Sequence, residues 1–315
     1  MSRISANLLL LVVALIWGSA FVPQIHGMSN VGPMTFTAVR FLIGTLVVAP
    51  LMLLEWRRLQ REAKPLRRVD GLKIGGLGGL LVLGAAMQQI GLISTSATNA
   101  GFLTALYVPL VPMLGWLLWR QLPHWTVWLG ALASFVGAYL LSGAHTQAIV
   151  SGDLWIIASA IPWAVHVLLI GRVADRMSAP FLVAGGQFAV CGLLALAWTL
   201  AFEPVTWSGL QAAAWPLLYT GVFSVGVAFT AQVVAQRYAH AADAAIVLSS
   251  ETLFSAMFGY LLMGDRLDST GLAGCGLIFA SMMAVQLLPM LYGQPAVVTV
   301  HPHGYPLEPE AAHEA

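Results

Sequence analysis

Three ionisable residues stand inside long apolar runs: Arg40, His166 and Glu251. An ionisable group at lipid depth is costly unless paired or hydrated, so each is a candidate for function. Counting about 1.5 Å per helical residue, Arg40 lies roughly 10 Å below one face of a membrane core about 30 Å thick, and Glu251 roughly 15 Å above the other. The two are expected either to pair or to flank one cavity. A guanidinium and a carboxylate together suit a zwitterion such as an amino acid, whose carboxylate and ammonium need opposite charges. The competing readings are a structural ion pair for Arg40 and a helix brace for Glu251. His166 follows Trp163 by three residues on one side of its helix. A satisfied core histidine and a proton-coupling group, titrating near neutral pH, are both open there.

Uncharged groups extend the set. Trp17 and Trp163 fall at mid-depth, where most membrane tryptophans do not. They are expected to be either two aromatic walls of one cavity or core packing. Gln88 and Gln232 are 144 residues apart and could hold a carboxylate or amide, or bond between helices. Tyr107 and Asn99 are weaker versions of the same case. Trp116, Trp119, Trp125 and Trp128 surround a helix end and read as interfacial belt residues.

The elements that must position these groups are membrane helices. Only 9% of the 315 residues are charged and 59% are hydrophobic, too little polar surface for water. Ten apolar runs can be marked at 5–26, 33–55, 70–93, 96–119, 123–143, 152–172, 179–202, 211–236, 241–263 and 268–291. Each is near the length of a spanning helix and twice that of a spanning strand. The first run is read as a span and not a signal peptide, because no small-residue cleavage site ends it. The basic segment 56–73, with Arg57, Arg58, Arg61, Lys64, Arg67, Arg68 and Lys73, sets the cytoplasmic side. Ten crossings then put twelve of the 14 basic residues on that side, leaving Arg266 outside and Arg40 within a span. The same segment offers anionic lipid a second, lesser reading.

The second half of the chain echoes the first. SATNAG at 96–101 matches HAADAA at 240–245, TVWLGA at 126–131 matches TGLAGC at 270–275, and Trp17 aligns with Trp163, Tyr107 with Glu251 and Arg40 with Gln187. Two units of five spans each result, and an odd number inverts the second in the membrane, as in secondary transporters. The fold expected is therefore all-α and membrane-integral, with ten transmembrane helices as two inverted five-helix repeats, 5–143 and 152–291. A Pro- and His-rich segment, 292–315, reads as a disordered cytoplasmic tail whose His301, His303 and His313 lack zinc-site spacing. Gly71, Gly75 and Gly79 are expected to bring a neighbouring helix close, and Cys191 and Cys275 to be buried free thiols.

The stretch from Asn7 to Phe21 with ALIWGSAF, the second helix from Pro33 through Arg40 to Phe41, ATNAGFLTALYVPLVPML at 97–114, GDLWIIASAIPWAVHVLLIGR at 152–172 and AADAAIVLSSETLFSAMFGYLLMGDRL at 241–267 resemble the EamA-type branch of the drug/metabolite transporter superfamily. The resemblance covers residues 5–290. It implies ten helices in two inverted repeats, a cavity lined mainly by the first, third, fourth, sixth, eighth and ninth, and export of amino acids and related metabolites through the inner membrane. The chain departs from that pattern at Glu251, followed by Thr252 where Pro is common, and at Gln121, where an acidic residue is common; Asp265 keeps the acidic residue at the repeat counterpart.

The expected activity is export of small amphipathic metabolites, most simply amino acids, by alternating access, with both termini cytoplasmic. The expected substrate-binding set is Trp17, Arg40, Gln88, Tyr107, Trp163, His166, Gln232 and Glu251. Other readings are export of a different metabolite or drug, a passive channel, and a membrane enzyme. The channel lacks a continuous polar lining, and the enzyme lacks a metal motif, a P-loop and a nucleophile–base set. No cofactor, metal or nucleic acid is expected. The partners are a small-molecule substrate and the bilayer, and a homodimer is compatible with such a chain.

Overall fold

The computed structural model describes residues 1–64, 66–142, 150–264, 266, 268–292 and 297–299. Asp265 and the tail beyond 299 lie outside them. Among the described residues the regular structure is helical, apart from one antiparallel ladder pairing Gln121–Pro123 with Val297–Thr299. The first half runs α1 (Arg3–Met28), α2 (Pro33–Arg61), α3 (Arg68–Gly91), α4 (Ala97–Thr104), α5 (Tyr107–Trp119) and α6 (Trp125–Ser142). The second runs α7 (Ser151–Met177), α8 (Pro180–Phe202), α9 (Trp207–Ala212), α10 (Ala214–Tyr219), a π-helical segment (Thr220–Phe229), α11 (Thr230–Ala235), α12 (Ala241–Leu248), α13 (Glu251–Met263) and α14 (Ser269–Tyr292). Among the described residues, eight helical stretches are long and apolar enough to cross a membrane, and two shorter apolar ones cover Trp125–Leu141 and Ser269–Ala284. Leu46, Leu72 and Leu200 are each more than 70% exposed. Such an outer surface is stable only against lipid, where a helix satisfies its own backbone.

Two helices start on proline, and each borrows its cap from the far end of the other. Pro33 and Pro180 supply no N–H at the first helical position. Glu203, just past α8, accepts from the backbone of Met34 (2.9 Å) and Thr35 (2.8 Å) and from the Thr35 hydroxyl (2.7 Å). Glu55, near the end of α2, accepts from the backbone of Leu182 at 2.8 Å. Each carboxylate meets the positive end of a helix dipole and a donor that has no helical partner. The arrangement fixes α2 and α8 as an antiparallel pair. The remaining packing is reciprocal as well: α3 lies on α7 as the π segment lies on α1, α5 on α7 as α13 on α1, and α6 on α14.

Both halves interrupt one span at the same place. The breaks at Ala105–Leu106 and Ser249–Ser250 are 144 residues apart, as are the helices on either side of them. In the first half Pro109 has no N–H for the Ala105 carbonyl, which accepts instead from Val108 at 3.0 Å. In the second half, where 253 is Leu, the hydroxyls of Ser249 and Ser250 bond the carbonyls of Ile246 and Val247 at 2.7 and 2.6 Å. Such back-bonding competes with the helical ladder and bends it.

The glycines expected to seat a neighbour do not. A Cβ at Gly71, Gly75 or Gly79 would meet nothing within 4 Å, so that stripe faces outward. The close approach on α3 is at Gly78, where a Cβ would fall 2.5 Å from Val190, and α6 meets α14 where Gly137 and Gly274 touch each other's backbone. Spacing alone cannot say which side of a helix faces a partner. Cys191 is buried as expected, whereas Cys275 is only partly so.

Candidate functional site

The two interrupted spans cross between α1 and α7, and a cavity of about 50 Å³ lies where they meet. Its wall takes residues from both halves. Tyr107 opens α5 and Glu251 opens α13, so the break in each span delivers one polar side chain to the cavity at an equivalent position. Trp17 comes from α1, Arg40 from α2, Gln88 from α3, Trp163 from α7 and Gln232 from α11. Seven of the eight expected residues therefore line one space.

His166 is the eighth, and it stands outside that lining. It is fully buried behind the aromatic wall, with Nε2 2.8 Å from Gln187 Oε1 and its ring edge-on to Trp163 and Phe229. The spacing of three from Trp163 puts the two rings in contact but turns only the indole to the cavity. Arg40 and Glu251 flank the cavity without forming an ion pair. The guanidinium instead donates through Nη1 to Gln24 Oε1 and lies over the Phe41 ring at 5.1 Å. Gln88 donates to the Thr104 hydroxyl at 2.9 Å. Asn99 is not at the cavity.

The two tryptophans line the space but do not face each other across it. Phe229, from the π segment, stands between them, 4.5 Å from the Trp17 ring and stacked 5.9 Å from that of Trp163. The Trp17 Nε1 donates to the Ser224 carbonyl at 3.2 Å. Gly84 leaves room for the Trp163 indole, since a Cβ there would come within 3.0 Å of it. Gln24, Thr104, Ser224 and Phe229 were not among the expected residues. Gln24 carried a signal, a polar side chain in an apolar run; the other three are residue types common in any membrane helix.

The distinctive feature of the cavity is unmet hydrogen bonding. Arg40 Nε, Tyr107 Oη, Trp163 Nε1 and Gln232 Oε1 are all buried without a protein partner. Leaving such a group unsatisfied costs about 1–3 kcal/mol each, which a polar ligand or water would recover. Three of the four are donors, and the fourth accepts. With the Glu251 carboxylate close by, the wall offers donors for an anionic group and acceptors for a cationic one. At about 10–15 Å³ per water, this volume holds a handful of water molecules, well below the roughly 300 Å³ of an ordinary small-molecule site.

Each end of the bundle is closed by one polar cluster. At the start of α1, Arg3 Nη2 lies 2.6 Å from Asp243 Oδ2 on α12. At the start of α7, Asp153 Oδ1 accepts from the Thr95 hydroxyl at 2.7 Å and from Asn99 Nδ2 at 2.8 Å, and Asp153 Oδ2 accepts from the Val150 backbone at 3.0 Å. Asn99 and Asp243 are 144 residues apart, so equivalent positions of the two interrupted spans form the two closures. Because α1 and α7 precede the antiparallel pair α2 and α8, the closures are at opposite ends.

The two halves of this helical membrane protein enclose one polar cavity, and the comparisons with known proteins place the chain among the transporters and give the family. The EamA-like transporter family matches twice, at residues 4–143 and 150–286, and the chain belongs to it. An uncharacterized transporter of Archaeoglobus fulgidus is 32% identical over 289 residues, covering 90% of this chain and 87% of that one. The uncharacterized transporter YoaV of Bacillus subtilis is 21% identical over 284 residues, 84% and 91% of the two chains. One solved structure, described only as a crystal structure of a protein, shares the fold with a TM-score of 0.74 at 21% identity, over 93% of this chain and 100% of its own.

Proposed function

We propose that the chain is an exporter of small zwitterionic metabolites, amino acids foremost, working by alternating access. In this reading the ten apolar helical stretches are ten crossings, in two five-helix repeats inverted about an axis in the membrane plane. The 144-residue offset between the interrupted spans, the reciprocal caps of Glu55 and Glu203 and the exchange-symmetric packing support it. The basic segment 56–73 orients the protein with both termini in the cytoplasm, in the cell (inner) membrane. The Arg3–Asp243 closure is then cytoplasmic and the Asp153 closure external.

The observation that carries the substrate class is the set of partnerless polar atoms at the cavity. Arg40, Tyr107 and Trp163 present donors to a carboxylate, and Glu251 and Gln232 present acceptors to an ammonium. Binding pulls these groups onto the ligand, and rocking of the halves exposes the cavity to one side at a time. The test is counterflow in proteoliposomes preloaded with unlabelled amino acids and offered a labelled panel. Saturable accumulation that falls at least about tenfold in Arg40→Gln and Glu251→Gln, with both variants folded, is expected from the loss of a charge-assisted bond. Unsaturable flux, or unchanged transport in both variants, sinks the reading.

A further inference from the structure

The π-helical segment Thr220–Phe229 corresponds to a stretch of α3, which is α-helical from Arg68 to Gly91. One contact in each half fixes the correspondence. A Cβ on Gly78 of α3 would lie 2.5 Å from Val190 Cβ and 3.0 Å from the Gln187 carbonyl oxygen, and one on Gly221 would lie 2.7 Å from Ile43 Cβ and 3.1 Å from the Arg40 carbonyl oxygen. Val190 follows Ile43, and Gln187 follows Arg40, by 147 positions, so the two glycines are equivalent seats on α8 and α2. Gln88 and Gln232 are likewise equivalent in the cavity wall. Gln88 follows Gly78 by 10 positions, whereas Gln232 follows Gly221 by 11. One added residue between two fixed points is absorbed by a wider turn, bonded i→i+5.

The contacts with α2 show the widening. Gly221 and Gly226 both lie against it, at Ile43 and Val47. Five residues at α-helical pitch end about 140° from their start, so an α-helix would turn only one of the two glycines to α2.

The added residue decides where Phe229 points. Counted back from Gln232, Phe229 stands where the first half has Ala85; counted on from Gly221, it stands where the first half has Ala86. Ala85 is buried in the main core with Trp163, whereas Ala86 packs with Met34, Ala38 and Ala195. Phe229 takes the first of these positions, between Trp17 and Trp163. Passing the wide turn beyond residue 229 gives it the second, about 100° round the helix, with Gly221 and Gln232 unmoved.

We propose that Phe229 is a displaceable plug in the subsite for the substrate's side chain. The wide turn lies before Phe229 while the ring fills the slot, and beyond it when an apolar side chain takes the ring's place between the tryptophans. This subsite rests on the exporter reading and deepens it: the favoured zwitterions carry an apolar side chain, because only such a group replaces the contacts that the ring gives up.

Deleting Phe223, whose side chain is exposed, removes the added residue, sets Gly221 and Gly226 four positions apart at α-helical pitch and locks the ring in the slot. Counterflow is measured with labelled leucine and alanine, whose side chains differ by three carbons. The folded deletion variant is expected to lower the leucine-to-alanine ratio of rates about tenfold, and Phe229→Ala added to it to restore the ratio. Where the deletion does not fold, Phe229→Ala alone, or Phe229→Leu, raises the ratio above that of the parent protein. A second readout needs no transport. With 4-fluorophenylalanine at position 229 in nanodiscs, leucine is expected to move the fluorine resonance out of the ring currents of the two tryptophans, and alanine to leave it in place. Counterflow with the same ratio in every variant overturns the plug and keeps the exporter, as does a fluorine line that leucine and alanine move equally. A shift with leucine alone, without counterflow, keeps the plug and removes the exporter.

Discussion

The two ends of the bundle are closed by equivalent helices with unlike chemistry. At the α1 end, one ion pair joins a one-third exposed Arg3 side chain to a buried Asp243. At the α7 end, a buried Asp153 gathers three neutral donors. An ion pair with a solvated partner contributes modestly and is screened by salt, whereas a buried carboxylate held by several donors loses all of them when it is removed. Duplication therefore preserved the position of the two clusters and not their strength.

The difference can be broken by substitution. With Ser224→Cys as the reporter in the central cavity, in a background of Cys191→Ala and Cys275→Ala, Asp153→Ala is expected to raise labelling by an impermeant maleimide from the external side more than about tenfold, since several charge-assisted bonds are lost. Unchanged labelling would mean that this cluster braces α7 without closing the cavity. The caps of the α2–α8 pair come next. Glu203→Ala removes three bonds and Glu55→Ala one, so thermal unfolding in detergent should show losses of about 2 and about 1 kcal/mol. Equal losses would contradict the unequal capping. Asp243→Asn is expected to raise labelling from the cytoplasmic side only about fivefold, consistent with about 1 kcal/mol for a partly solvated pair. The smallest effect is that of salt. Raising ionic strength should increase cytoplasmic labelling about twofold and leave external labelling unchanged; salt sensitivity at the external end would reverse the assignment of the two closures.

Much of this geometry was legible in the residues. The ten apolar runs coincide with helical segments to within a few residues, because hydropathy over a span is a local property. The alignment of Tyr107 with Glu251 located both at the first turn past a break, although the breaks themselves were not foreseen: Pro109 and the Ser249–Ser250 pair act on neighbouring carbonyls and leave the hydropathy unaltered. Partnerships over long separations were not legible. Glu55 and Glu203 carry no capping signal in the sequence, because the helix start that each one caps lies more than 120 residues away along the chain. Arg3 counted only among the basic residues that set topology until α12 was brought against it, and Asp153 carried no signal until Thr95 and Asn99 met it. Phe229, which carried no signal in the sequence, fills the slot between Trp17 and Trp163, and of the two arrangements expected for Arg40 and Glu251 the flanking one is found, with Arg40 held by Gln24 from the preceding helix. Which of two faces a membrane helix turns inward is decided by its neighbours, which is also why the Gly71, Gly75 and Gly79 stripe faces outward.

The central claim is that one cavity is reached from either side in turn and never from both at once. The most direct test joins the two loosened closures in one protein, Asp153→Ala with Asp243→Asn, and measures leakage of a sulfonated dye trapped in proteoliposomes. If the halves rock as units, opening one end closes the other, so Ser224→Cys becomes labelled from each side while the vesicles stay tight to the dye. Dye release at the rate of Ser224→Cys labelling would show a continuous pore and contradict alternating access.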